Sequence, residues 1–146
     1  MFRGSAIAKI DDRGRLKVPT DFRRILEDRY GPEVFVTSVQ GRSTLLYPIS
    51  VWDEIEQKLA ALPSTSRARK RYVERVSYYG QQGRLDSQAR IVIPPILRNT
   101  AGMEGEVLVF GSIDYLEIWN REVFESKLAD DPFSDEDFAA LADGGI

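Results

Sequence analysis

The chain has 146 residues, 42% hydrophobic and 29% charged, with a formal net charge of −3, an ordinary composition with enough apolar material for a core. It contains no cysteine and no histidine, which excludes disulfides, thiolate metal sites and every nucleophile pair built on imidazole or thiol. No apolar run reaches the length of a bilayer span and no apolar leader precedes a small-residue cleavage site, so cytoplasmic residence is the expectation.

In chain order, Ser5 to Ile10 and Arg15 to Val18 read as two strands of a hairpin, with Gly14 at the reversal. Pro19 stops the ladder, and Phe22, Ile25, Leu26 and Tyr30 follow at helical spacing up to Gly31-Pro32. Val34 to Val39 and Ser43 to Tyr47 form a second hairpin around Gln40-Gly41-Arg42. Ser50 reads as the N-cap of the next helix, with Asp53 completing an approximate capping box. Pro63-Ser64-Thr65-Ser66 ends that helix, and a basic helix runs from Arg67 to Tyr79. Strands follow at Gly83 to Asp86, Arg90 to Ile93, Glu106 to Phe110 and Tyr115 to Trp119, with a short helix from Pro95 and a closing helix over Asn120 to Leu128. Residues 129–146 are acidic and contain Pro132 and Gly144-Gly145, which predicts a flexible tail with Phe133 and Phe138 as anchors.

One segment occurs twice. Asp11 to Arg23 returns as Asp86 to Arg98 at a constant offset of 75 residues, with Asp, Arg, Pro and Arg identical and Leu/Ile, Val/Ile and Phe/Leu matched in kind. Two copies of one small unit are implied. The expected organisation is a first unit over 1–63, a basic helical connector over 64–80, a second unit over 81–128 and the tail over 129–146. Charge divides along the chain too: up to Arg75 there are 15 basic and 10 acidic residues, and after it 5 and 13.

The first copy concentrates cations at its turn. Leu16 and Val18 point one way along the strand while Arg15 and Lys17 point the other, with Arg13 just before them. A two-stranded ribbon of this shape fits the major groove of DNA, where Arg binds guanine O6 and N7 together. The other reading is an Asp11–Arg15 ion pair that pins the turn. In the second copy Arg13 is replaced by Gln88, Gly14 by Ala89 and Lys17 by Val92, while Asp86 and Arg90 remain. The shared Asp/Arg pair points to turn structure for Asp11, Asp86 and Arg90. Arg13 and Lys17 stand as the purer DNA candidates, and Arg15 stands open to both roles.

Met1-Phe2-Arg3-Gly4 with Asp11-x-x-Gly14-Arg15-Leu16-x-Val18-Pro19-x-x-Phe22-Arg23 resembles the opening of the MraZ family. The second motif, and Gly111-x-x-x-Tyr115-x-Glu117-Ile118-Trp119 after it, are similar to that family's second half. The resemblance covers Met1 to about Leu128. It implies an α+β fold, with tandem pseudo-symmetric swapped-hairpin AbrB-like units forming a double-split β-barrel with short helices. It further implies a ring-forming homo-oligomer that regulates the bacterial division and cell-wall gene cluster. Turns repeated around such a ring predict short direct repeats in double-stranded DNA, and the expected function is a nucleoid-associated repressor of its own promoter. The resemblance places the DNA contact on Arg13, Arg15 and Lys17, and Gly14, Arg3 and Lys9 are further expected DNA-binding residues.

Two other classes compete. An antitoxin-type module would use the acidic tail to neutralise a protein partner. An enzyme is disfavoured, because neither a phosphate loop nor a placed pair of acids is visible. No cofactor, metal, membrane or small-molecule substrate is expected. The helix from Arg67 to Arg75 reads either as a solvated face or as a sequence-independent phosphate contact.

Overall fold

Alternating burial along short strands sets the architecture. In a computed structural model describing residues 1–146, β1 (Ser5–Ile10) is followed by β2 (Arg15–Lys17), α1 (Thr20–Arg29), β3 (Glu33–Thr37), β4 (Thr44–Pro48), α2 (Ile49–Ala61) and α3 (Arg67–Tyr78). The second copy supplies β5 (Gln81–Arg84), β6 (Arg90–Val92), α4 (Pro95–Thr100), β7 (Gly105–Gly111), β8 (Leu116–Asn120) and α5 (Arg121–Asp130), and α6 (Asp135–Ala142) ends the chain. The eight strands form one antiparallel sheet in the order β5-β3-β4-β8-β7-β1-β2-β6, a nearly closed double-split barrel.

The copies are interleaved rather than side by side. β1 meets β2 at a single pair, Ile10 and Leu16, but runs along β7 for six pairs from Ser5–Phe110 to Ile10–Gly105. β5 of the second copy likewise pairs with β3 of the first, and β2 pairs with β6. The expected first hairpin is thus only a turn. Three residues of β2 bury too little to hold β1, and the long ladder comes from the other copy. Leu16 lies opposite Ile91, its own counterpart 75 residues on, and Leu45 opposite Glu117. A pseudo-two-fold axis therefore passes through both pairs.

The core explains why the exchange is stable. Leu16, Val18, Leu26, Val34 and Leu46 of the first copy and Ile91, Ile93, Leu97, Val109 and Ile118 of the second belong to one buried cluster. Burying each such side chain stabilises the fold by about 1.5–3 kcal/mol, so neither copy is expected to hold its shape alone. Phe2 ties the N-terminus down: it is buried against Phe22 and Tyr30, and its N–H donates to the Ile113 carbonyl at 2.7 Å. Gly111 permits this, since a Cβ there would meet the backbone of Phe2 and Arg3.

Two local expectations differ from the structure. α2 begins at Ile49, with Pro48 rather than Ser50 at the N-cap and no side-chain cap; Pro48 ends β4 and leads straight into the helix. The segment expected to be a flexible tail contains α6, started by a reciprocal capping box between Ser134 and Asp137. Local capping and helix-favouring Ala and Leu outweigh the acidic composition there.

Candidate nucleic-acid interface

The turn between β1 and β2 is built around one carboxylate. Asp11 Oδ1 accepts from the N–H groups of Arg13 and Arg15 at 3.0 and 2.8 Å, and Oδ2 accepts from Arg15 Nε at 2.9 Å. These donors, led by the Arg15 backbone N–H, hold the Asp11 carboxyl below its ordinary value. Gly14 completes the turn at φ +76°. The second copy repeats it. Asp86 accepts from Gln88 and Arg90 N–H, both at 2.9 Å, and from Arg90 Nε at 2.8 Å, and its carboxyl is lowered for the same first reason. Ala89 takes the place of Gly14 without changing the turn: it adopts the same left-handed conformation at φ +58°.

Each turn is also held by an arginine from the other copy. Arg98 of α4 donates from Nη2 to the Arg13 carbonyl at 2.7 Å, and Arg23 of α1 donates from Nη2 to the Ser87 carbonyl at 3.0 Å. Sequence reading assigned neither arginine a role. Their recurrence at the same place in both copies is the signal that marks them.

On this frame the cations face outward. Leu16 is fully buried under β2, while Arg13 and Lys17 are exposed and Arg15 is half-buried. Lys17 lies opposite Arg90 and Arg15 opposite Val92. Lys9 is exposed on neighbouring β1, where its partner on β7 is Glu106. Arg84 of β5, which sequence reading also passed over, adds a cation across the seam of the barrel, where a shallow groove of 190 Å³ runs between Arg15, Gln82, Arg84 and Arg90. Arg15 and Arg90 are bound to their turn aspartates and Arg84 lies 3.5 Å from Glu33, whereas neither Arg13 nor Lys17 has an ion-pair partner.

Register thus brings Lys9, Arg15, Lys17 and Arg90 to one face of the sheet, with Asp11 bound to Arg15 and Arg13 exposed at the turn, while Gly14 is buried beneath Arg98. Asp86 holds Arg90 at 2.8 Å and lines the same groove as Arg15. Arg3 is not brought there: it precedes β1 at the opposite end from Lys9, about 20 Å away at strand rise.

The class follows from this geometry: a double-split β-barrel woven from two copies in a single chain, with a pinned cationic turn on its outside. The family described as "MraZ protein, putative antitoxin-like" matches residues 1–75 and 80–143. The chain is 42% identical over 146 residues to the Transcriptional regulator MraZ of Acidobacterium capsulatum and 44% identical over 147 residues to that of Koribacter versatilis, covering all of each chain in both comparisons. It is 33% identical over 132 residues to the Transcriptional regulator MraZ of Escherichia coli, covering 90% of this chain and 87% of the relative. The chain belongs to the MraZ family.

Proposed function

We propose that this chain is a sequence-specific DNA-binding transcription regulator acting in the cytoplasm at the nucleoid. The observation that carries the reading is the outward face of the first turn, where Arg13 and Lys17 are exposed and unpaired above a buried Leu16. Arg13 and Lys17 reach base edges and phosphates, and the pinned Arg15 holds the turn while presenting its guanidinium edge to the duplex. The second turn, with Gln88 and Val92 in their places, braces the barrel.

Magnitudes make the regulator an oligomer. One bidentate Arg–guanine contact discriminates by about 1–3 kcal/mol, and specific binding exceeds nonspecific binding by about 4–10 kcal/mol. A single turn falls short, and a net charge of −3 adds little long-range attraction. Several subunits in a ring, each reading one short direct repeat, reach the range through effective concentration. The family membership supports placing those repeats in the promoter of the division and cell-wall gene cluster, with repression as the outcome.

The test is titration of DNA from upstream of the protein's own gene with wild type, Arg13→Ala and Lys17→Ala. Loss of binding with unchanged unfolding supports the reading. Undiminished binding by both variants contradicts it.

A further inference from the structure

The second copy repeats more of the first than the barrel uses. α2 is followed by Pro63 and then α3, capped by Ser66, whose side chain accepts from the Arg69 N–H at 3.2 Å. α5 is followed by Pro132 and then α6, capped by Ser134. The two helices hold the same place in their copies, but their charges are opposite. Arg67, Arg69, Lys70, Arg71 and Arg75 on α3 outnumber a single Glu74, whereas residues 129–146 carry six acidic residues and no basic one.

Their packing differs as well. α3 is fastened to its barrel by Val76, buried with Tyr47 and Trp52, and the Val76 carbonyl accepts from Thr37 Oγ1 at 2.7 Å. α6 buries none of its residues. Phe133 and Phe138 are 59% and 64% exposed and stack edge-on at 4.7 Å with each other. On α3, Arg67, Arg71 and Arg75 recur every four residues and share one face. None of the three has an ion-pair partner. A cleft of 480 Å³ opens beside them, lined by Arg71, Glu74, Arg75, Tyr78 and Tyr79, with Tyr78 67% exposed.

We infer that α6 of one subunit docks on α3 of a second copy of the chain, its carboxylates against Arg67, Arg71 and Arg75 and its Phe133–Phe138 pair in the cleft beside Tyr78. This rests on the oligomeric part of the reading above. Charge complementarity selects the occupant: Asp135, Glu136 and Asp137 fall together in the first turn of α6. A DNA backbone would also match the arginines, but would leave both phenylalanines in water. A second copy's tail satisfies the cations and covers the rings, with guanidinium groups packing on aromatic faces. The contact runs from tail to helix, so it repeats from subunit to subunit.

The chain has no cysteine, so Glu74→Cys on the rim of the cleft and Ala142→Cys one turn beyond Phe138, placed together in the full-length protein, are its only thiols and leave both phenylalanines and Tyr78 in place. Oxidation is expected to yield a ladder of covalently linked chains on a denaturing gel. Adding Asp135→Lys and Glu136→Lys should cut the linked fraction about tenfold, and adding Arg71→Glu and Arg75→Glu to that background should restore it. A disulfide confined to the monomer band overturns the proposal, because the tail then covers its own α3. A ladder indifferent to charge reversal overturns it too. So does a loss of DNA affinity in Arg71→Glu with linkage unchanged, which would assign α3 to phosphates. Sedimentation of the wild type separates two further failures: assembly without linkage removes this contact alone, and absence of assembly removes the oligomeric reading as well.

Discussion

The guanidinium of Arg98 occupies the space that a Cβ on Gly14 would need, while its Nη2 holds the Arg13 carbonyl at 2.7 Å. The corresponding arginine of the first copy is Arg23, and the turn position equivalent to Gly14 is Ala89. Arg23 holds the Ser87 carbonyl and turns its Nε to Glu27 at 2.8 Å. Both turns are braced by an arginine, but only the glycine of the first lets the guanidinium occupy the Cβ position. Gly14→Ala is expected to cost about 1–2 kcal/mol for the left-handed backbone alone, and to expel Arg98. Urea unfolding of Gly14→Ala, Arg98→Ala and the double variant checks this. The two changes should be non-additive by at least about 0.5 kcal/mol.

Lys17 and Arg13 separate reading from folding. Both are exposed and free of ion pairs, so replacing either with Ala should change stability by less than about 0.5 kcal/mol. DNA affinity should fall, and for each phosphate contact removed per subunit the slope of log K against log salt should shrink by about 0.9. Fluorescence anisotropy across a salt series, with urea unfolding alongside, measures both quantities.

Arg15 is different because its Nε and N–H both serve Asp11. Arg15→Lys keeps the charge but removes the directed guanidinium bond. It should lower the unfolding midpoint and DNA affinity together, whereas Lys17→Arg should leave stability unchanged. Thermal unfolding and DNA titration of the two variants distinguish a turn brace from a mere positive charge.

The turn aspartates set the acid limb of stability. Hydrogen bonds from the Arg15 and Arg90 N–H groups hold Asp11 and Asp86 below their ordinary value of 3.8. Below about pH 4 the unfolded chain therefore binds more protons than the folded one. Their stabilisation is fully present above that pH and is lost as pH falls through the lowered values. In the alkaline range burial raises the Tyr47 phenol above its ordinary 10.0, so its contribution is complete below about pH 10 and declines above it. Asp11→Asn with Asp86→Asn should flatten the acid limb and leave the alkaline one in place, read from unfolding midpoints across pH.

Most elements and the doubled motif were legible because period-2 burial and turn residues are local signals. Leu16 inward with Arg15 and Lys17 outward followed from alternation alone. The partner of each strand did not: nothing in Ser5 to Ile10 says that its ladder is with Gly105 to Gly111 rather than with β2, since pairing is decided by packing between distant segments. The grip of Arg98 on the first turn was hidden for the same reason, although its repetition as Arg23 was in view. Ala89 at positive φ was hidden because tertiary packing imposed a conformation its residue type disfavours. The capping residues of α6, Ser134 and Asp137, were readable but were masked by the acidic composition around them.

The most direct test of the central claim, that an outward cationic turn reads DNA, is a nuclease footprint on the DNA upstream of the protein's own gene at two salt concentrations. Wild type and Arg13→Ala/Lys17→Ala should be compared side by side. The account predicts discrete short repeats protected by wild type at both salts and lost in the variant. A salt-erased smear with wild type, or repeats still protected by the variant, would contradict it.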